Sequence, residues 1–291
     1  MIRKDERPRV GLALSGGAAR GIAHIGVLRA LTENEIPIDC IAGTSAGALV
    51  GSAMASGMPL SEIEAIGRRL RWRDVGKMTM SRLGVQSNER LEQYIRERIP
   101  VTRFEELPIP FAAVATDLHS GQAVIMRDQG DVPFAIRASC AIPGWYVPVT
   151  DEHGRQLVDG GIVANIPSGV ARLLGADLVI AVDVNAGGAA FLGPSQSIIS
   201  VVLQSMLLVQ RTASLHQLEA ADVVIKPRVG HIRWDEMGRA DELISAGYEA
   251  GLASITEIRD EIATRSKPAR KWYQLRRRKE VLAERSVTSR T

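Results

Sequence analysis

The chain has 291 residues, of which 45% are hydrophobic and 4% aromatic, and its formal net charge is +3. This composition favours a globular chain, with disorder expected only at the ends, and the length suits one large domain or two small ones. The two cysteines, Cys40 and Cys140, lie far apart, so neither a disulfide framework nor a zinc site is expected, and a cytoplasmic location is favoured.

The chain divides into three parts. Residues 1–8 are predicted to form a polar N-terminal arm, which lacks the pattern of an export signal. Residues 9–264 contain no linker, repeat or change of composition, so one domain is expected there. Residues 265–291 are predicted to form a helical extension, and eight lysines and arginines lie between positions 265 and 279.

The first 55 residues have the pattern of a βαβα unit. Residues 9–14 form a short apolar run, and a glycine-rich turn and a helical pattern follow it. A second strand is predicted over residues 38–42 and a second helix over 46–55. Because strand, turn and helix recur in this order, a parallel pairing of the two strands is expected.

The rest of the domain continues the alternation of strands and helices, which predicts an α/β fold with a mainly parallel sheet covered by helices. Two segments stand out. Residues 72–87 are expected to be irregular, as a cover over a binding site or as an ordinary surface loop. Residues 198–209 are too short to span a membrane and are expected to form a buried or partner-facing helix, which leaves a homodimer open. Further strands are predicted at 110–116, 122–126, 176–182 and 221–225, and further helices at 60–70, 88–99, 168–174 and 238–263.

A candidate nucleophile lies between the second strand and the second helix. Gly43-Thr44-Ser45-Ala46-Gly47 fits the pattern G-x-S-x-G, in which small neighbours let a serine hydroxyl stand clear of a sharp strand-to-helix turn. The apolar strand before it and the helix after it remove most accidental matches to this pattern. Ser45 is therefore predicted to be the nucleophile of an ester hydrolase.

The glycine-rich turn after the first strand is the candidate oxyanion hole. Its residues Gly16, Gly17 and Ala18 precede the first helix, with Gly21 behind them, and they are expected to lie on the same edge of the sheet as Ser45. Backbone N–H groups at the start of a helix favour negative charge. The N–H of Ala46, directly after the nucleophile, is a further candidate donor.

None of the five histidines lies in a sequence context that suggests a base for Ser45. Asp159 follows an apolar pair and precedes Gly160 and Gly161, where the backbone can bend closely around a ligand. A carboxylate of ordinary pKa is a weak base at neutral pH, so Asp159 is expected in a desolvated position that raises its proton affinity. The alternative is an aspartate that only caps a turn.

These motifs, with Ala-Ser-Cys-Ala-Ile-Pro at 138–143, resemble those of the bacterial patatin-like phospholipases over residues 9–185. The resemblance implies a three-layer α/β/α patatin-like fold with a catalytic domain over 9–264. It also implies a Ser45–Asp159 dyad that cleaves acyl esters of lipids, in the manner of a phospholipase A or esterase, without a metal or cofactor. The chain departs from the usual Gly-x-Gly-x-x-Gly loop at Ala18, where a positive φ would be strained.

Other functions remain open from sequence. A lipid acyltransferase would use the same residues, and a membrane-associated lipid-binding or regulatory module would share the fold without turnover. Dinucleotide binding is disfavoured because Asp39 begins the second strand instead of ending it, and nucleic acid is not an expected partner. The basic cluster at 265–279 suits peripheral contact with the anionic inner membrane surface, or is simply a solvated tail.

Overall fold

The computed structural model describes residues 7–187 and 198–266. The strands form a large central sheet and a small sheet beside it, and the large sheet has the order β11-β10-β1-β2-β5-β9-β8, with β6 also paired to β5. The small sheet has the order β3-β4-β7. The strands are β1 (Val10–Leu14), β2 (Cys40–Thr44), β3 (Lys77–Met78), β4 (Gly84–Ser87), β5 (Phe111–Asp117), β6 (Ala123–Arg127), β7 (Gly144–Tyr146), β8 (Val149–Thr150), β9 (Gln156–Asp159), β10 (Leu178–Val182) and β11 (Val223–Ile225).

Helices cover both faces of the central sheet. The large hydrophobic cluster on one face includes Leu12 of β1 and the buried residues of α1 and α10, and the smaller cluster on the other face includes Ala13 of β1 and Val170 of α8. Alternate residues of one strand thus face opposite helix layers. The helices are α1 (Ala23–Glu33), α2 (Ala46–Ala55), α3 (Leu60–Arg69), α4 (Trp72–Val75), α5 (Glu89–Arg96), α6 (Val132–Ser139), α7 (Gly161–Ala164), α8 (Ser168–Leu173), α9 (Ile198–Gln217) and α10 (Ala240–Arg265).

The topology brings distant turns to one edge of the sheet. Strands β1, β2, β5, β10 and β11 are parallel, so their carboxyl ends share an edge, which we call the carboxyl edge, and their amino ends share the opposite amino edge. Strand β9 runs antiparallel to β5, with Asp159 opposite Ala115. Because Thr44 pairs with Val114 and Asp159 with Ala115, the end of β9 is nevertheless level with the turn after β2 at the carboxyl edge, next to the turn after β1.

The three-layer α/β/α fold and the mainly parallel sheet are confirmed. The second strand begins at Cys40, two residues later than predicted, and it ends at Thr44. The expectation of an irregular segment over 72–87 is wrong, because those residues form α4, β3 and β4, and β4 pairs in parallel with β7. Helix α9 continues to Gln217, and several of its apolar side chains are exposed, so it is not a buried helix.

The two ends of the chain lie mostly outside the described residues. In the predicted arm the structure describes Arg7 and Pro8, and Arg7 forms an ion pair with Asp39. In the predicted extension it describes Arg265 and Ser266, and Arg265 pairs with Asp222. The rest of the basic cluster falls outside the described residues. None of the helices in the described ranges is long and apolar enough to cross a bilayer.

Candidate active site

Ser45 occupies the sharp turn between β2 and α2. Its backbone has φ 52° and ψ −122°, a conformation that is strained for a residue with a side chain and is typical of functional positions. The neighbouring glycines allow the backbone to make so tight a turn. A Cβ at Gly43 would lie 2.6 Å from the backbone nitrogen of Ala48, and one at Gly47 would overlap the carbonyl of Leu14. Both positions are close backbone approaches that only glycine permits.

The hydroxyl of Ser45 donates a hydrogen bond to Asp159, with 2.6 Å between Oγ and Oδ2. The other carboxylate oxygen of Asp159 accepts the backbone N–H of Gly161 at 2.8 Å. Both side chains are 6% exposed. A Cβ at Gly160 would overlap the carbonyl of Val114, so the chain must bend closely here for Asp159 to reach Ser45.

Burial raises the pKa of Asp159 to about 6, although its hydrogen bonds from Ser45 and Gly161 lower it in part. Within the part of the chain that the structure describes, no cationic side chain forms an ion pair with this carboxylate. An unpaired charge in a desolvated position binds a proton more readily than one in water. A carboxylate with such a pKa can accept the serine proton and return it near neutral pH.

No histidine hydrogen-bonds to Ser45. His24 is buried, its Nε2 lies 2.8 Å from the carbonyl oxygen of Ser15, and burial lowers its pKa to about 4. His216 and His231 pair with glutamates on the surface. His119 and His153 are exposed. Of the titratable side chains beside the serine, Asp159 is the one that can act as a base, because burial raises the pKa of the neighbouring Cys140 thiol and keeps it protonated.

The glycine-rich turn lies beside Ser45, and a Cβ at Gly16 would be 3.3 Å from the Cβ of Ser45. The N–H of Gly16 donates to the carbonyl of Asn165 at 3.1 Å, so it is not available to an oxyanion. Within the described residues, the N–H groups of Gly17 and Ala18 make no hydrogen bond to protein. Together with the N–H of Ala46 in the first turn of α2, they form the candidate oxyanion hole.

Ala18 has φ 48°, the left-handed conformation that sequence analysis identifies as strained for alanine. Asn185 supports the turn, because its Nδ2 donates to the carbonyl of Gly16 at 2.8 Å. Gly21 lies against α2, where a Cβ would overlap the side chain of Ala46. The turn and the start of α2 are thus packed directly against each other.

Ser139 has a role that sequence analysis missed. Its Oγ accepts the backbone N–H of Ser45 at 2.8 Å and donates to the carbonyl of Val114 at 2.6 Å. Ser139 therefore links the strained turn to β5, the strand that carries β9 and Asp159. The motif at 138–143 pointed to this segment, but no local pattern indicated which atoms it would bind.

Two cavities meet at Ser45. The walls of the first are almost entirely apolar. It extends along α2 past Leu49 and Ala53. The second also contains Asp159, the turn of Gly16 to Ala18 and several polar side chains. These polar side chains are Arg20, Asn165, Asn185, Gln210 and Arg211.

Within residues 7–187 and 198–266, no group of three or more His, Cys, Asp or Glu side chains is arranged to hold a metal ion. The fold and the site define a class of α/β protein in which a serine at a strand-to-helix turn is hydrogen-bonded to an aspartate from a distant strand. Residues 12–172 match the family model described as patatin-like phospholipase. The chain belongs to the patatin-like phospholipase family.

Known relatives agree with this family, and a solved structure agrees with the fold. An uncharacterized NTE family protein of Mycobacterium tuberculosis is 39% identical over 225 residues, which are 76% of this chain and 61% of that protein. Lysophospholipase NTE1 of Pyricularia oryzae is 27% identical over 282 residues, 87% of this chain and 19% of that protein. The crystal structure of VipD from Legionella pneumophila has a TM-score of 0.54 and 17% identity, covering 88% of this chain and 67% of that chain. This chain thus spans less than two thirds of the length of these two relatives.

Proposed function

We propose that this protein hydrolyses carboxylic esters of lipids through an acyl-enzyme on Ser45, with Asp159 as the general base. The observation that carries the proposal is the buried hydrogen bond from Ser45 Oγ to Asp159 Oδ2 at 2.6 Å. The family and the apolar cavity support the lipid substrate.

In the proposed reaction, Ser45 Oγ attacks the ester carbonyl carbon while its proton passes to Asp159. The carbonyl oxygen becomes an oxyanion and accepts hydrogen bonds from the backbone N–H groups of Gly17, Ala18 and Ala46. Removal of one such donor typically costs about 2.7–4 kcal/mol of transition-state stabilisation. The tetrahedral intermediate collapses, the bond to the alcohol oxygen breaks, and Asp159 returns its proton to that oxygen. Water then repeats the sequence on the acyl-enzyme, with Asp159 again accepting and returning the proton.

The two cavities suggest how the substrate is oriented. The apolar cavity suits the acyl chain, because burial of hydrocarbon in it removes apolar surface from water. The second cavity suits the alcohol part of the ester, because polar side chains such as Asn185 and Arg211 line it and are compatible with polar or anionic groups. Among the described residues, one of the two cavities at Ser45 is almost entirely apolar, which favours an ester with one acyl chain. The name of the Pyricularia relative, a lysophospholipase, agrees with that preference.

The test is hydrolysis of palmitoyl lysophosphatidylcholine and of a soluble butanoyl ester by the parent protein and by Ser45→Ala. We expect the substitution to lower kcat/KM by a factor of at least about 10³ on both substrates, since it removes the nucleophile. Circular dichroism and thermal unfolding confirm that the variant is folded. Parent-like rates in folded Ser45→Ala protein would refute the mechanism. Activity on the soluble ester without activity on the lysophospholipid would refute the lipid assignment alone.

A further inference from the structure

Exposed apolar side chains concentrate on two elements. Outside those two elements, the exposed large hydrophobic side chains among the described residues are Leu118, Leu173 and Leu252, which lie apart from one another in sequence. All the others belong to the β3–β4 hairpin, residues 77–87, or to the outer face of α9. Soluble proteins seldom leave large apolar patches in water unless the patch binds something. These residues are Met78, Met80 and Leu83 on the hairpin, and Val201, Val202, Leu208, Val209 and Leu215 on α9.

The hairpin is continuous with the wall of the apolar cavity. Trp72 and Val75 of α4 line that cavity, and the hairpin begins two residues later. Its second strand, β4, pairs with β7, whose Tyr146 lines the same cavity. At the tip of the hairpin, Met80 is completely exposed.

Helix α9 has the same relation to the second cavity. Its inner face supplies Met206 and Leu207 to the wall, and Gln210 donates to Asn165 at 2.8 Å. Its outer face carries the exposed apolar side chains. The helix also packs against β7, so the hairpin and α9 both contact this short strand.

The charges on these two elements have one sign. Residues 76–88 include Lys77 and Arg82 but no aspartate or glutamate. Helix α9 includes Arg211 and likewise no acidic residue. On the hairpin, exposed apolar side chains lie beside two cations and no carboxylate, which makes this surface complementary to a layer of anionic headgroups over hydrocarbon.

We propose that the β3–β4 hairpin and the outer face of α9 together bind the surface of an anionic lipid bilayer, which places both cavities of Ser45 at the membrane. This inference rests on the proposed function, because an enzyme that hydrolyses lipid esters must receive them from a lipid surface. Val201, Leu208 and Leu215 recur every seven residues and would also suit a second copy of the chain. A second copy packed on α9 would leave the hairpin tip in water, whereas a bilayer can cover both the hairpin tip and the outer face of α9.

Sedimentation with vesicles tests the proposal. Ser45→Ala protein with all 291 residues, which cannot consume the vesicles, is mixed with phosphatidylcholine vesicles that contain 30% phosphatidylglycerol or none. We expect Met78→Ser/Met80→Ser/Leu83→Ser to weaken binding to the anionic vesicles at least tenfold, and Leu208→Ser/Val209→Ser to weaken it severalfold. The matched control, Leu173→Ser/Leu252→Ser, also removes exposed leucines and should bind like the parent. Equal binding by the hairpin, helix and control variants would overturn the proposal.

A label at the hairpin tip separates this surface from the basic cluster at 265–279. Met80→Cys is coupled to an environment-sensitive bimane, and Leu173→Cys is the control. Cys40 and Cys140 are buried, so they should react slowly. Addition of anionic vesicles should shift the emission of the label at position 80 to the blue and leave that at 173 unchanged. No shift at position 80 while the protein is bound would overturn the proposal, because another surface would then hold the membrane.

Two further outcomes are decisive. A stable dimer in light scattering that Leu208→Ser/Val209→Ser dissociates, without any change in vesicle binding, would assign α9 to a second copy and overturn the membrane role. The hairpin variant in the Ser45-intact background should hydrolyse the soluble butanoyl ester at a rate within about twofold of the parent. If the parent hydrolyses neither that ester nor palmitoyl lysophosphatidylcholine, the proposed function fails, whereas vesicle binding is scored independently of it.

Discussion

Asp159 and Asp222 lie at opposite edges of the central sheet, and their surroundings shift their pKa values in opposite directions. At the amino edge, Asp222 accepts the N–H of Val179 at 2.6 Å and pairs with Arg172 and Arg265. Burial raises the pKa of Asp222, but the N–H of Val179 and the two guanidinium groups outweigh it and hold the pKa below its usual value. At the carboxyl edge, Asp159 has hydrogen bonds but no ion pair, and burial raises its pKa to about 6.

Asp39 extends the comparison, since it accepts the N–H of Val10 and pairs with Arg7 directly before β2. The amino edge thus uses carboxylates to join neighbouring strands, each neutralised by arginine. At the carboxyl edge, Asp159 lies against a strained serine and forms no ion pair with an arginine of the described residues. Guanidinium partners thus help to hold the pKa of Asp222 low, and burial without such a partner leaves the pKa of Asp159 raised.

The largest expected effect comes from exchanging the two aspartates for asparagine. Asp159→Asn should lower kcat/KM by a factor of at least about 10³, because the amide cannot accept the serine proton. Asp222→Asn should change activity less than about threefold but lower the free energy of unfolding by about 1–2 kcal/mol, since it breaks two ion pairs. Ester hydrolysis and urea unfolding of both variants measure this. A similar loss of activity in both would remove the distinction between the edges.

The pH dependence of stability should also differ between the edges. The folded-state pKa of Asp159 is about 6 and its unfolded value is about 3.9, so between these values the folded protein binds more protons. Stability from this group is therefore lost as pH rises from about 4 to about 6, by roughly 3 kcal/mol at 1.36 kcal/mol per pKa unit.

Asp159→Asn removes this titration. Its free energy of unfolding, relative to that of the parent, should increase by about 2–3 kcal/mol between pH 4.5 and pH 7.5 in urea titrations. Asp222, with its lowered pKa, stabilises above its unfolded value, and its contribution is lost as pH falls. The difference between Asp222→Asn and the parent should therefore shrink below about pH 4. A constant difference between Asp159→Asn and the parent would mean that Asp159 is not desolvated.

Within the carboxyl edge, Ser139→Ala tests how the strained turn is supported. The substitution leaves the N–H of Ser45 and the carbonyl of Val114 without their partner, and should lower kcat about 10- to 100-fold with a smaller change in KM. The matched control is Ser52→Ala, a buried serine of α2 whose hydroxyl bonds only the carbonyl of Leu49. The control should retain activity within about twofold. Equal kcat values for the two variants would show that Ser139 does not position the nucleophile.

The smallest expected effect concerns the depth of the apolar cavity. Ser45, Leu49 and Ala53 are spaced four residues apart and line the cavity, so Ala53 lies about 12 Å along α2 from the nucleophile. Ala53→Phe should lower kcat/KM for hexadecanoyl esters about tenfold and leave butanoyl esters unchanged. Met54→Phe, on the same helix but not in the cavity wall, is the control. An equal effect on both chain lengths would place the acyl chain elsewhere.

Much of the site can be predicted from sequence because its parts are local. The turn at Ser45 follows an apolar strand, and Asp159 is marked by the two glycines behind it. The desolvated position expected of Asp159 agrees with its burial. The roles of Ser45, Asp159 and the oxyanion donors in catalysis remain predictions.

The rest depends on contacts between distant segments. Ser139 binds the backbone of a residue 94 positions earlier, and the amide of Gly16 is used by Asn165, which no local pattern reveals. Strand β4 pairs with β7 through short segments that lack the alternation of a half-buried strand. The exposed face of α9 has the same apolar residues that a buried helix would have, so its composition misleads.

Covalent labelling tests the central claim, a Ser45–Asp159 pair that acts without histidine, most directly. The parent protein, Ser45→Ala and Asp159→Asn react with a fluorophosphonate between pH 4.5 and pH 8.5, and peptide mass spectrometry locates the label. The account predicts label on Ser45 alone. The labelling rate should rise with pH through a pKa near 6, and it should be at least about 10²-fold lower in Asp159→Asn than in the parent. Label on another residue, or undiminished labelling of Ser45 in Asp159→Asn, would contradict it.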